Sequence, residues 1–401
     1  MYKRQKYIDR IVPFINKPVI KVITGMRRTG KSTIMQLIIN HLVESGVNKE
    51  LIIFINMESL DNSRLTNISE LHKFVGQHKK KTGEKLYLFI DEVQEIQDWE
   101  KAVNSFFADG DADIFITGSN SKLLSSELAT LLTGRYVEFN VYPLVFSEFS
   151  QFRNKEIKSV DLFNEFLKFG GMPGIHHLDF KEHEIYQYLS AVIDSVLLKD
   201  VVKRNNIRNV GLLEKIMQFT FDNIGNVFSG RKIADYFKNE RRTLGHETVY
   251  NYLKYLESAF IINRVPRFDL KGKKILETNE KYYLTDIGLG HALLGYREKD
   301  INAYLENIIF MELLYRGYTV KIGKFYDYEV DFIAQKSNER IYIQVCYILA
   351  DEKVRKREMR PFHKISDNHP KYLLTMDSIP ESNEDGILRR YIPNWLISKT
   401  K

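Results

Sequence analysis

A single cysteine, Cys346, stands in a chain of 401 residues. This excludes an internal disulfide and any metal knot built from several cysteines, and it fits a reducing compartment. Long apolar runs are equally scarce. The longest, such as Leu51–Ile55 and Leu86–Ile90, are strand-sized and far too short to cross a bilayer, so no membrane contact is expected. The basic start, Met1–Asp9, is followed by Pro13, Asn16, Lys17 and Pro18, which interrupt the apolar centre that a signal peptide needs. Internal repeats and low-complexity tracts are missing as well. A cytoplasmic protein is expected.

What is present is material for several cores. With 44% hydrophobic residues, a chain of this length can support roughly two to four domains. The net charge is +7, and its location says more than its size. Between Lys199 and Lys281 there are 17 Lys and Arg against 10 Asp and Glu, so the whole excess sits in that segment. A basic excess on one module predicts a polyanion contact, with a solvated basic surface as the alternative.

From residue 19 to about 149, apolar strand-like runs alternate with helical patterns. The strands are expected at Val19–Thr24, Leu51–Met57, Lys85–Ile90, Asp113–Thr117 and Tyr136–Val141, and helices at Lys31–Glu44, Ser69–Lys80, Trp99–Ala108 and Lys122–Leu132. Near-continuous apolar strands separated by crossover helices imply an α/β fold, with a parallel sheet covered on both faces. A second helical region, Asp161–Asn206, is broken at Gly170-Gly171-Met172-Pro173-Gly174, where glycine and proline cannot continue a helix.

Gly25-Met26-Arg27-Arg28-Thr29-Gly30-Lys31-Ser32 matches the P-loop pattern residue for residue, after an apolar strand and at the start of an amphipathic helix. Glycines let backbone N–H groups wrap phosphates, and the helix N-terminus adds its positive end. The expected nucleotide contacts are Gly25, Arg28, Thr29, Gly30, Lys31, Ser32 and Thr33. Lys31 would reach the β- and γ-phosphates of ATP, and the Ser32 hydroxyl would hold Mg²⁺. Arg27 and Arg28 lie inside the loop, either on phosphate or in solvent.

Leu86–Ile90 then runs straight into Asp91-Glu92, a buried strand delivering two acids to the carboxyl edge of the sheet. Asp91 would act on Mg²⁺ through its water shell, and Glu92 would polarise the attacking water. Leu51–Met57 intervenes between the two motifs, an insertion expected of ATP-hydrolysing P-loop proteins. Asp113–Thr117 ends in Gly118-Ser119-Asn120, where Asn120, or failing that Ser119, would position the water beside the γ-phosphate.

These stretches, with LLTGRYVEFNVYPLVFSEF, FGGMPG and YEVDFIAQ, resemble the prokaryotic AAA-type ATPases that carry a winged helix and a C-terminal domain related to restriction-endonuclease folds. The resemblance spans about residues 19 to 350. It implies an ATPase whose nucleotide sits at a subunit boundary of a homo-oligomer. It also implies a γ-phosphate contact for Arg135, in cis or from a neighbouring subunit, because the planar guanidinium can pair two oxygens at once. The domains are expected at 1–150 for the P-loop core, 151–207 for a helical lid, 208–290 for a winged helix-turn-helix, and 300–401 for an α+β nuclease-like domain.

The winged helix is read from three helices, Leu212–Asn223, Arg231–Asn239 capped by Ser229, and Glu247–Ser258 after the Thr243–Gly245 turn. A hairpin, Ile261–Phe268 with Glu280–Leu284, carries the basic turn Lys271–Lys274. Glu247–Ser258 would present His246, Thr248, Tyr250, Asn251 and Lys254, to DNA or to a protein.

In the last domain, Glu306 and Asp331 stand where metal-dependent nucleases place two acids. The following Glu-x-Lys positions are Gln344 and Cys346, a poor Mg²⁺ ligand and no ammonium. Nuclease activity is not expected, and Lys353 is the candidate for a migrated ammonium. The expected activity is ATP hydrolysis coupled to DNA or protein engagement. The alternative is a slow nucleotide-dependent switch controlling assembly, without polymer-stimulated turnover.

Overall fold

The computed structural model describes residues 3–121, 132, 134–153, 159–228, 245–272, 274–349, 351–378 and 381–398. The chain forms two compact units, Met1–Val141 with Ser258–Phe260, and Tyr142–Glu257 with Ile261–Lys401.

In the first unit the five expected strands form, each within two residues of its expected ends. They are β1 Ile20–Thr24, β2 Ile52–Asn56, β3 Leu86–Asp91, β4 Ala112–Gly118 and β5 Tyr136–Asn140. All pairings are parallel, in the order β2-β3-β4-β1-β5. Strands β1, β3 and β4 have almost every residue buried, as helices on both faces require, whereas β2 at the edge leaves Phe54 exposed. The helices are α1 Gln5–Ile11, α2 Lys31–Glu44, α3 Ile68–Thr82 and α4 Trp99–Ala108. Asn67 caps α3 by accepting from the Glu70 N–H, and Gly83 ends it in the left-handed region. The helix expected over Lys122–Leu132 falls outside the described residues apart from Leu132.

Spatial order differs from sequence order. The strand lying between the P-loop strand and the Asp91 strand is β4; β2, the one that intervenes in sequence, takes the edge beyond β3. Crossover connections can skip positions, so sequence order does not dictate neighbours. The core of this sheet also buries an ion pair, Lys21 of β1 with Asp113 of β4, and the ammonium lies 4.5 Å from the centre of the Phe115 ring.

The second unit holds an eight-stranded mixed sheet, in the order β12-β13-β11-β10-β9-β8-β6-β7. Its strands are β6 Ile262–Asp269, β7 Lys274–Leu284, β8 Thr319–Phe325, β9 Tyr328–Lys336, β10 Glu339–Cys346, β11 Lys371–Thr375, β12 Ser382–Glu384 and β13 Ile387–Tyr391. The hairpin expected as a wing is β6–β7. It is also the edge of this larger sheet, because β6 pairs in parallel with β8.

The helices of this unit are α5 Phe146–Phe152, α6 Ser159–Phe169, α7 Glu182–Val196, α8 Val210–Asp222, α9 His246–Ser258, α10 Ile287–Leu294, α11 Ile301–Arg316, α12 Glu352–Met359 and α13 Ile392–Ile397. The helix expected at Arg231–Asn239, with Ser229 and Thr243, lies outside the described residues.

The glycine cluster does more than end α6. A Cβ on Gly171 would sit 1.9 Å from the Leu144 carbonyl oxygen, so only glycine allows the two backbones to meet there. The Gly171 N–H donates to Asp286 Oδ2 at 2.6 Å, while Asp286 Oδ1 accepts from the Leu289 N–H at 3.3 Å and so caps α10. One buried carboxylate therefore joins the break after α6 to the start of α10.

Candidate nucleotide site

The loop between β1 and α2 is shaped by two glycines. Gly25 has φ +144°, and a Cβ there would lie 2.2 Å from the Val141 carbonyl oxygen; Gly30, at φ +96°, opens α2. No side chain fits at Gly25, so backbone alone lines that part of the cradle. Thr29 is buried, its hydroxyl donating to the Met26 carbonyl at 2.8 Å, which pins the turn from inside. Lys31 is 4% exposed; its ammonium donates to the Met26 carbonyl at 3.2 Å and pairs with Glu92 Oε1 at 3.4 Å. Ser32 is exposed at the mouth, Thr33 half-buried and Arg28 exposed. Arg27 ion-pairs with Glu58 at 2.6 Å and approaches Glu92 at 3.9 Å.

The acids arrive at the same sheet edge. Asp91 ends β3, accepts hydrogen bonds from Thr117 and Ser32, and burial pushes its carboxyl above the usual carboxylate range. Burial pushes Glu92 upward too, but the Lys31 and Arg27 cations outweigh it and hold its carboxyl below the ordinary value. Glu92 takes φ +56°, an uncommon conformation for a side-chain-bearing residue, and its N–H donates to Thr117 Oγ1 at 2.9 Å. Ser119 hydrogen-bonds the Glu92 carboxylate, and Asn120 beside it is buried.

The fold thus brings Lys31, Ser32, Asp91, Glu92 and Ser119 together. Arg135 is not among them. It precedes β5, whose first residue pairs with Ile20, whereas the far end of β5 pairs with Thr24, the residue before the P-loop. A five-residue strand spans about 16 Å, so Arg135 lies at the opposite sheet edge, exposed, with its guanidinium 5.7 Å from the Phe107 ring centre.

Two participants escaped the sequence reading. Arg4 is 4% exposed, donates to the Thr29 carbonyl at 2.9 Å and lies 4.5 Å over the Tyr7 ring, so an N-terminal cation braces the phosphate loop. Nothing in a lone arginine ahead of a helix signals this. Thr117 ties Asp91 to the Glu92 backbone; its only signal is a hydroxyl at the end of an apolar strand.

The donor set fits a magnesium nucleotide. A backbone cradle that admits no side chain at Gly25 and a buried ammonium suit phosphate, and a hydroxyl bonded to a carboxylate suits a hydrated hard cation.

Residues 17–150 match the family described as AAA domain, and residues 160–300 match a domain of unknown function, DUF8612. An uncharacterized protein of Haemophilus influenzae is 36% identical over 400 residues, covering 99% of each chain. One of Methanocaldococcus jannaschii is 35% identical over 379 residues, covering 90% of this chain and 82% of its own. Among solved structures, a Walker-type ATPase of Pyrococcus abyssi aligns at 14% identity and a TM-score of 0.49, over 73% of this chain and 96% of that one. With 36% and 35% identity over most of their lengths, the chain belongs to the same family as these bacterial and archaeal proteins, and its N-terminal part is an AAA domain, of the type that binds nucleotide.

Proposed function

We propose that the chain is a cytoplasmic, Mg²⁺-dependent ATP hydrolase that couples its nucleotide state to engagement of DNA or protein. The observation carrying hydrolysis is the placement of Glu92. Its ionised carboxylate stands beside Lys31 and the hydroxyl of Ser119, where a base for water is needed. Bound Mg²⁺ would neutralise charge on the β- and γ-phosphates. Lys31 would hold those phosphates, Ser32 and Asp91 the ion and its waters, and Ser119 or Asn120 the attacking water. Arg135, at the far edge, suits only a site on a neighbouring subunit of a homo-oligomer.

Engagement through the second unit rests on α9. Glu247, Tyr250, Asn251 and Lys254 are exposed at helical spacing, while Val249, Leu253 and Leu256 are buried. That stripe, with the exposed Lys271 and Lys274 of the hairpin turn, is the surface of a winged-helix reading. The basic count overstates its charge. Lys281, Arg267 and Arg264 are spent on acids within the fold.

Steady-state ATP turnover, with and without duplex DNA, tests the reading. Stimulation that weakens with salt and is lost in Lys271→Glu/Lys274→Glu supports DNA engagement. Turnover unaffected by DNA points to protein engagement or to the slow switch. No turnover that depends on Glu92 removes the hydrolase itself.

A further inference from the structure

The second unit gathers acids from separated elements around one lysine. Glu306 comes from α11, Glu329 and Asp331 from β9, and Lys281 from β7. Lys281 Nζ stands 3.1 Å from Glu306 Oε1 and 2.8 Å from Glu329 Oε1, and its side chain is 5% exposed. The Tyr283 hydroxyl donates to the same Glu306 oxygen, and the Val345 N–H donates to Asp331 Oδ2 at 2.8 Å. Three acids crowded in a poorly solvated place repel one another and require a cation.

Nuclease kinship would make that cation a divalent metal, but the residues do not fit one. Gln344 holds the position of the second-strand acid. Its carbonyl accepts from the Asp331 N–H at 3.3 Å and its amide donates to Glu358 at 3.1 Å, a pairing that only an amide can make. The Cys346 thiol is buried and pushed up to about 11 by that burial, so it is neither ammonium nor thiolate. Among the described residues, no three His, Cys, Asp or Glu side chains are placed to hold a metal ion; here Glu306 and Glu329 are drawn to the ammonium instead.

We propose that Lys281 is the resident cation of this site: its ammonium takes the place of a divalent ion among Glu306, Glu329 and Asp331, keeps metal out of this site in the wild-type chain, and leaves a divalent-ion site when its charge is removed. Burial works against the ammonium, yet Glu306, Asp331 and Glu329 together hold it charged above its ordinary range. A lysine inside the fold supplies charge at every metal concentration, whereas a bound ion is lost to chelation. The geometry stands whether or not the domain descends from nucleases, and it is independent of the ATP site.

The test is Mn²⁺ binding to the full chain without nucleotide, followed by thermal shift and by water-proton relaxation. Wild type is expected to show no binding at this site, so that Glu306→Gln leaves its Mn²⁺ response unchanged. Lys281→Met should acquire a site at least about tenfold tighter than any in wild type, lost again in Lys281→Met/Glu306→Gln, because two freed carboxylates and water suffice for a hard cation. Lys281→Arg keeps the charge and should stay metal-free. Mn²⁺ binding by wild type that disappears in Glu306→Gln would overturn the proposal, making the lysine an auxiliary to a real metal centre. So would a folded Lys281→Met without a metal response. Should Lys281→Met fail to fold, the wild-type and Glu306→Gln comparison still decides.

Discussion

Lys31 Nζ lies 3.4 Å from Glu92 Oε1, so the two charges on which ATP chemistry would turn hold one another. A triphosphate entering the loop must compete with Glu92 for the lysine. Glu92→Gln is therefore expected to bind ATP at least as tightly as wild type and to lose turnover by about a hundredfold or more. Lys31→Ala should lose tight binding altogether. Calorimetry for affinity and a coupled phosphate-release assay for turnover separate the two outcomes; a Glu92→Gln variant with normal turnover would place the base elsewhere.

Arg4 supports the loop from behind. Its hydrogen bond to the Thr29 carbonyl is charge-assisted and buried, and Arg4→Ala removes it without replacing any of the expected nucleotide contacts. ATP affinity should fall about tenfold while circular dichroism stays native. Unchanged affinity would mean that the loop keeps its shape unaided.

Arg135 belongs at a subunit boundary or nowhere in the chemistry. Arg135→Ala and Glu92→Gln, each inactive alone, should recover part of wild-type turnover on mixing, because some interfaces then combine an intact Glu92 with an intact Arg135. Subunit exchange without recovery would retire the trans role.

The Lys21–Asp113 pair lies buried in the middle of the five-stranded sheet, and burial pulls the Lys21 ammonium below its ordinary range despite its partner. Asp113→Ala should cost about 3 kcal/mol or more, since it strands a cation and leaves the Asn16 N–H without its 2.9 Å acceptor. The apolar pair Lys21→Met/Asp113→Leu should recover most of that loss. Denaturant titration of wild type and these two variants measures the loss and its recovery.

Asp286 gives a pH signature. Burial raises its carboxyl to about 6 from 3.8, so the fold favours the protonated acid. The sign follows from linkage: this stabilisation is complete below pH 4 and is lost as pH rises through 6, amounting to about 3 kcal/mol. Asp286→Asn cannot titrate. The stability difference between the two proteins should shift across pH 4 to 6 and stay level above 7.

Much of the first unit was legible in the chain itself. Unbroken apolar strands, glycines at fixed spacing, and acids ending a strand are local patterns, and local patterns determine the parallel sheet and the Lys31–Asp91–Glu92 edge. The break at Gly170–Gly174 was readable for the same reason. Tertiary structure alone decided the rest: that β4 lies beside the P-loop strand, that Arg135 faces away from its own P-loop, and that Arg4 braces Thr29. It also decided that the ammonium facing Glu306 and Glu329 is that of Lys281, whereas Lys353 is exposed on α12. Each of these joins residues tens of positions apart, and sequence spacing carries no information about which strand a crossover skips or which side chain reaches across a sheet.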